Sequence, residues 1–436
     1  MPSLRVPPSP ALAGEIRVPS DKSITHRALL LGAISDRTVE VRSPLDAEDT
    51  LSTLTAVERC GVTVAGGLET GVVRIEGAGV RGLRPPPAID CGNAGTLMRF
   101  LPGLLAAQVG QHCVLDGDDS LRGRPMERVA RPLREMGASI FTAPGGTPPL
   151  VVDGGRELVG MRHELPVASA QVKSCLLLAG LYARGETWVQ EPAPSRDHTE
   201  RMLASSGVEV LREGRAVGVR GPVDSLALPD IEVPRDFSSA APLIVAGVLA
   251  GEPSVRLPDV NLNPLRTGLL SVLDRMGGRV TVEARSERAG EPVGTIVASR
   301  GPTLHATDVQ GDEVPALIDE LPLVGLLGAF AAGTTVVRGA AELRVKESDR
   351  IAAVVGMLRG LGARAEELDD GFTVEGAGSL RGGEAHAGGD HRLAMLGAVA
   401  GVVSGSGVLV DGFEAINVSY PDFGADLARL TAAAAA

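Results

Sequence analysis

Aromatic side chains are nearly missing from this chain: 436 residues carry one Trp, two Tyr and seven Phe. Base stacking on aromatic platforms, a common way to hold single-stranded nucleic acid, has almost no residues to work with. Positive charge is also short. The 42 Lys and Arg face 54 Asp and Glu, a formal net charge of −12, which disfavours attraction to DNA, RNA or anionic membranes. The four cysteines, Cys60, Cys91, Cys113 and Cys175, stand far apart without a CxxC pair. That excludes a disulfide framework and a thiolate zinc site, and free thiols fit a reducing cytoplasm.

Several signatures of chemistry are absent as well. No GxxxxGK[ST] occurs, no GxSxG, and the seven His include no HExxH or other ligand spacing, so no metal is expected. GAGVRG, from Gly77 to Gly82, matches GxGxxG but runs into LRPPP instead of a helix, so it is no dinucleotide site. The longest apolar stretch, Leu393 to Val410, is interrupted by two Ser and four Gly and reads as a helix, a break and a strand. The opening MPSLRVPPSPALAGEIRVPS is broken by prolines, and no signal peptide is expected. These features predict a soluble, cytoplasmic protein with neither nucleic acid nor membrane as partner.

What is present is ordinary in composition, 44% apolar and 22% charged, at a length that suits two or three domains. Beneath it lies a repeat. Helix-like stretches ending in Gly before a β-branched or alternating segment recur at Gly61, Gly137, Gly207, Gly277 and Gly362, spaced 76, 70, 70 and 85 residues apart. Each Gly stands where a helix end requires a left-handed residue, a conformation that Gly adopts without steric cost. A second pattern alternates with the first. Apolar helices are predicted to start near Ser23, Gly95, Ser169, Ser238, Asp319 and Asp390, each followed by a short strand rich in Val and Thr.

The unit is therefore an apolar helix, a strand, an amphipathic helix and two strands, six times over. The helix that is apolar all round should be buried at a centre. The last unit stops after LARL without its final strands, while LAGEIRVPS near the N-terminus is a strand with no preceding helix. Pairing these two ends predicts one domain of residues 1–20 plus 236–436, holding both termini, and an inserted domain of residues 21–235, with three units in each.

Charged residues gather where the helices begin. Asp21-Lys22-Ser23 stands with Arg27, Asn93-Ala94-Gly95-Thr96 with Arg99, and Ser169-Ala170-Gln171 with Lys173. The other half has Asp390-His391-Arg392 and Lys346-Glu347-Ser348-Asp349-Arg350. Cations at helix N-termini oppose the dipole, so five such clusters in an acidic chain point to bound phosphate or carboxylate. Arg124 precedes a helix with Pro125 suited to its first position, and Arg196 occupies the corresponding loop one repeat later. Asp319 and Glu320 head an apolar helix, where a carboxylate serves either as an N-cap or as a general base beside cations.

The segments PSDKSITHRALLLGA, CGNAGTLMR, SLRGRPM, PVASAQVKS, PSRDHTERM, RVKESDRI, DHRLAM and SYPDF together resemble the enolpyruvyl transferase family, in its 3-phosphoshikimate 1-carboxyvinyltransferase (5-enolpyruvylshikimate-3-phosphate synthase) branch. The similarity runs from Ser20 to Phe423. It implies an α/β fold of two similar domains, each of three βαβαββ repeats around buried helices, the inverse α/β-barrel type. The implied reaction is transfer of the enolpyruvyl group of phosphoenolpyruvate to the 5-hydroxyl of shikimate 3-phosphate, through a tetrahedral ketal, with release of phosphate and no cofactor. Two polyanionic substrates need cations and an acid–base pair, which agrees with the charge clusters.

The resemblance also implies roles for individual residues. Lys22 touches both substrates, and Ser23, Arg27, Ser169, Ala170, Gln171, Arg196, Asp319 and Lys346 hold shikimate 3-phosphate, with Ser195 as an addition. Gly95, Arg124, Gln171, Arg350 and Arg392 join Lys22 around phosphoenolpyruvate. Asp319 is the base at the 5-hydroxyl, and Glu347 shuttles a proton at the methylene carbon. Glyphosate is expected to compete with phosphoenolpyruvate, because Gly95 leaves room beside the anion pocket. The chain is expected to act as a monomer that closes its two halves over the substrates. Val418, His198 and Ala170 depart from one branch, which has a lysine, a tyrosine and a serine there, and Arg235 replaces a glycine at the crossover. The sister enzyme acting on UDP-N-acetylglucosamine is disfavoured because the LRGRP loop lacks its reactive cysteine. A protein that only sequesters phosphorylated metabolites is disfavoured because carboxylates such as Asp319 and Glu347 would weaken anion binding. The net charge disfavours an RNA-end-processing enzyme.

Overall fold

The computed structural model describes residues 3–108, 110, 112–288 and 290–435. The chain divides into two compact units. One comprises Met1–Pro19, Pro234–Ser286 and Pro292–Ala436; the other comprises Ser20–Val233 and Glu287–Glu291. The short segment 287–291 had no signal in the sequence.

Each unit has its own aliphatic core, and the six apolar helices are at the centre of them. Lys22–Ala33, Gly95–Leu105 and Ala170–Gly180 serve the second unit, and Phe237–Ala250, Leu321–Phe330 and His391–Val403 the first. Nearly all of Phe237–Ala250 is buried, as expected of a helix without a polar face. The amphipathic helices are Glu48–Arg59, Glu127–Glu135, His198–Ser205, Gly268–Met276, Arg350–Gly360 and Phe423–Ala435. The glycines predicted to end five of them all have positive φ, from 81° at Gly277 to 105° at Gly137. The stretch Leu393 to Val410 is the end of one helix, a break, and the strand Val408–Asp411.

One sheet order recurs. In the unit around Gly95–Leu105, the strand Ala88–Asp90 runs parallel to His112–Asp116, which pairs antiparallel with Thr147–Asp153, which pairs antiparallel with Ser139–Ala143. Four other sheets have the same order, and the sixth has three strands. These are six separate open sheets among the described residues, not closed barrels.

The N-terminal closure differs from expectation. The strand that completes the last repeat is Ser3–Val6, antiparallel to Val408–Asp411. The LAGE strand, Leu12–Glu15, instead runs parallel to Gly251–Asn261 and leads the next repeat. The Pro-broken start hides two four-residue strands in what read as one. In the inserted unit, Ile231–Glu232 runs parallel to Thr38–Arg42 and supplies the leading strand of the first repeat. Pro125 is also placed differently: the helix begins at Glu127 after Met126, with a separate turn Asp119–Arg122 before it. No helix among the described residues is long and apolar enough to cross a membrane.

Candidate functional site

The predicted site residues fall into two clusters, one in each compact unit, and both are built from helix beginnings. In the unit containing Ser20–Val233, Asp21 caps the helix Lys22–Ala33, its carboxylate accepting from the Ile24 amide at 2.9 Å. The cap answers the helix dipole that Lys22 and Arg27 oppose. Lys22 Nζ lies 2.5 Å from Asp49 Oδ2 and remains partly exposed. Ser23 accepts from Arg27 Nη1 through its backbone oxygen at 2.9 Å. Arg27 is buried: Nε donates to Thr199 Oγ1 at 2.7 Å, Nη2 to Ser174 Oγ at 3.0 Å, and the guanidinium lies 4.7 Å from the Phe100 ring centroid. Burial pulls its pKa down to about 10, against the opposing pull of Glu200, so it stays charged at neutral pH.

The Gly95 helix and the Gln171 helix meet through side chains. Arg99 Nη1 donates to Gln171 Oε1 at 2.7 Å, and Gln171 Nε2 donates to Thr96 Oγ1 at 3.2 Å. Arg124 Nη2 donates to Asn93 Oδ1 at 2.7 Å. A Cβ on Gly95 would lie 2.9 Å from Arg124 Nη1 and 3.1 Å from Arg99 Nη1, so glycine there lets both guanidinium groups approach the helix end. Ser169 is the N-cap of the next helix, its hydroxyl accepting from the Val172 amide, and Ala170 is the first residue within it. Arg196 stands in the loop before His198–Ser205, beside Ser195, whose hydroxyl donates to Glu191 at 2.8 Å.

Lys173 corrects the sequence reading. It was grouped with the anion-binding cations, but it is 4% exposed and pairs with Glu191 and Glu200, each at 2.9 Å. Burial alone would lower its pKa; Glu200 and Glu191 outweigh that and raise it. Arg99 is likewise buried against Gln171.

The unit with both termini carries the acidic cluster. Arg350 opens the helix Arg350–Gly360, is 1% exposed, and holds three carboxylates. Its Nη1 is 3.2 Å from Asp319 Oδ1, its Nη2 2.7 Å from Glu347 Oε2, and its Nε 2.7 Å from Asp390 Oδ2. Burial would favour the neutral guanidine, but Asp390, Glu347 and Asp319 outweigh it and raise the pKa. The same contact holds the Asp390 carboxyl, despite its burial, below the usual range. Lys346 Nζ is 3.4 Å from Asp319 Oδ1. Asp319 lies outside the helix, which starts at Leu321, and its carboxylate faces cations, so the N-cap reading of Asp319 does not hold.

Arg392 Nη1 donates to the Ser238 backbone oxygen at 3.0 Å and lies 3.7 Å from Glu320 Oε1. Glu320 is at the N-cap position without capping through its side chain; it accepts instead from the Ser238 hydroxyl. Asp390 caps the Arg392 helix through the Arg392 amide at 2.9 Å.

The three departures from the one branch, and Arg235, stand in these local settings. His198 is fully buried with Nδ1 2.7 Å from Glu291, Ala170 lies in the first turn of its helix, Val418 ends the 3-10 turn Phe413–Val418, and Arg235 bridges to Val260. Sequence reasoning missed Asp49, Asn93, Glu191, Glu200 and Asp390 as partners. Asn93 and Asp390 carried a signal, as polar residues at helix beginnings; Asp49, Glu191 and Glu200 pair across distances in sequence that no local pattern encodes.

The two clusters suit acid–base chemistry on anions. Asp319 and Glu347 are partly exposed carboxylates on one buried guanidinium, and the helix beginnings of the other unit offer cations and amides. Similarity to known proteins points the same way. The family model for EPSP synthase (3-phosphoshikimate 1-carboxyvinyltransferase) matches residues 6–427. A 3-phosphoshikimate 1-carboxyvinyltransferase of Synechococcus sp. (strain RCC307) is 46% identical over 425 residues, covering 96% of this chain and 97% of that protein. One from Coxiella burnetii (strain RSA 493) is 45% identical over 417 residues, covering 95% and 94%. The solved EPSP synthase of Acinetobacter baumannii superposes with a TM-score of 0.86 at 42% identity, covering 98% of this chain and 97% of that one. The enolpyruvyl transferase NikO from Streptomyces tendae, 18% identical with a TM-score of 0.77, shares the fold. Matched along nearly its whole length by model, relatives and structure alike, the chain belongs to the EPSP synthase (3-phosphoshikimate 1-carboxyvinyltransferase) family.

Proposed function

We propose that the side chains described above carry out the family's reaction, transfer of the enolpyruvyl group of phosphoenolpyruvate to the 5-hydroxyl of shikimate 3-phosphate with release of phosphate, in aromatic biosynthesis. The observation that carries the assignment of roles is the seating of Asp319 and Glu347 on one guanidinium, that of Arg350. Asp319 takes the proton of the 5-hydroxyl as its oxygen attacks C2 of phosphoenolpyruvate, while Glu347 delivers a proton to the methylene carbon. The resulting tetrahedral ketal then loses a proton from that carbon, the bond from C2 to the phosphate oxygen breaks, and phosphate leaves. Proton transfers and cations suffice for both steps.

Lys22, Ser23, Arg27, Ser169, Ala170, Gln171, Arg196 and Lys346 hold shikimate 3-phosphate in this reading, with Asp319 at its 5-hydroxyl. Lys22, Gly95, Arg124, Gln171, Arg350 and Arg392 hold phosphoenolpyruvate. Arginine forks suit carboxylate and phosphate because two parallel N–H bonds match two oxygens. Gly95 keeps the Arg124 and Arg99 guanidinium groups close, and glyphosate competes for that space. The reading takes the chain as a cytoplasmic monomer without nucleic acid or membrane partners.

Asp319→Ala tests it. General-base removal costs about 10²- to 10⁴-fold in turnover, and shikimate 3-phosphate binding, measured by calorimetry, should stay close to that of the unaltered protein. Parallel loss of binding and turnover would mean that Asp319 only anchors Lys346 and Arg350.

A further inference from the structure

Lys173 Nζ is surrounded by three acceptors: Glu191 Oε2 at 2.9 Å, Glu200 Oε1 at 2.9 Å and the Ser195 backbone oxygen at 3.1 Å. An ammonium has three hydrogens to give, so this one has none left for a ligand. Glu191 passes the connection on. Its Oε1 accepts from the Ser169 amide at 2.7 Å, and its Oε2 accepts from the Ser195 hydroxyl at 2.8 Å. Glu200 belongs to the helix His198–Ser205, whose Thr199 receives Arg27 Nε. Four segments thus converge on one buried ammonium: the Ser169 helix start, Glu191 after its strand, the Ser195 loop and the helix carrying Thr199.

As a stability device this hub is a poor choice. A buried ion triad repays little of its desolvation, and well-packed apolar residues often serve as well or better. Its value is geometric: a buried ammonium whose three hydrogens are all taken by fixed acceptors permits one arrangement of the segments that carry them. The segments it fixes are those that present Ser169 and Arg196, and one of them carries Thr199, which receives Arg27.

We infer that Lys173 is a positioning residue for shikimate 3-phosphate, locking the start of the helix Ala170–Gly180 to the Ser195–Asp197 loop through Glu191 and Glu200. The inference rests on the reading that Ser169 and Arg196 hold that substrate. Lys173 touches no substrate itself, and it acts through the placement of those groups.

The test is kinetic. Lys173→Met is expected to raise both KM and the calorimetric dissociation constant for shikimate 3-phosphate by about tenfold or more, the scale of one or two misplaced charge-assisted bonds. KM for phosphoenolpyruvate, which meets only Gln171 on the locked helix start, is expected to change by clearly less than KM for shikimate 3-phosphate. Arg196→Ala, measured alongside, checks the underlying reading: if it leaves shikimate 3-phosphate binding intact, the assignment of that loop fails, and the positioning role with it. If Arg196→Ala weakens binding while folded Lys173→Met does not, or weakens both substrates equally, the positioning role alone is overturned. Should Lys173→Met not fold, Lys173→Met/Glu191→Gln removes the pair at constant net charge and carries the same expectation. Failure of both to fold would make Lys173 a folding determinant and end the proposal.

Discussion

His26 lies on the buried side of the helix Lys22–Ala33, with Nδ1 2.7 Å from Thr53 Oγ1. Burial drives its pKa down from 6.5 to about 3; Asp49 opposes the shift, and Lys22 and Arg27 reinforce it. The folded state therefore refuses a proton that the unfolded chain accepts below about pH 6.5. Stability is complete above that pH and falls as pH drops toward 3, at up to about 1.4 kcal/mol per pH unit from this group alone. His26→Gln, which does not titrate, should flatten the stability curve between pH 6.5 and 4.5 by about 1 kcal/mol per unit in urea titrations. Parallel curves for the two proteins would show that His26 is protonated in the fold. The residue scale is also where the sequence was least informative. The cations Lys22, Arg124, Arg350 and Arg392 were visible as a pattern at helix beginnings, but their partners Asp49, Asn93, Asp390 and Glu320 depend on tertiary packing. Lys173 looked the same as the others in the sequence; what sets it apart is that Glu191, Glu200 and the Ser195 oxygen take all three of its ammonium hydrogens.

At the scale of elements, glycine position decides the sign of a substitution. Gly277 ends the helix Gly268–Met276 at φ 81°, where a side chain is strained even though a Cβ would meet only His305 at 3.8 Å. Gly356 is on the exposed face of the helix Arg350–Gly360, and a Cβ there would meet nothing within 4 Å. Gly277→Ala should therefore cost about 1–2 kcal/mol, and Gly356→Ala should add about 0.5–1 kcal/mol by helix propensity. Thermal melts that shifted both variants in one direction would contradict the helix-end argument. The same glycines made the repeat legible: a residue required at the ends of five amphipathic helices leaves a period that composition cannot hide. Short strands left no such mark. Ser3–Val6 and Leu12–Glu15 are four residues each, too brief for alternation to reveal which neighbour they pair with.

For the whole molecule, the chain path makes the two units unequal when separated. Residues 20–233 contain every strand of three complete sheets, because Ile231–Glu232 returns to Thr38–Arg42, and they contain the second core from Ile24 to Val233. On excision they lose Glu291, the partner of the buried His198, and the Gly290 oxygen to which Arg201 donates. Residues 234–436 lose more. Without Ser3–Val6 and Leu12–Glu15 the edges of Val408–Asp411 and Gly251–Asn261 are bare, and Val6, Leu12, Ile16 and Val18 leave the first core. At about 1.5–3 kcal/mol for each buried side chain, that loss rivals a domain's net stability of about 5–15 kcal/mol. The fragment 20–233 should therefore melt cooperatively by circular dichroism, below the temperature of the intact protein, while 234–436 should not fold. Joining 1–19 directly to 234–436 should restore it, since the Pro19 oxygen accepts from the Asp236 amide at 2.9 Å and the ends to be joined already lie together. A cooperative transition in 234–436 alone would show that the N-terminal strands are decoration on that core, and the closure of the repeats by Ser3–Val6 would lose its energetic meaning.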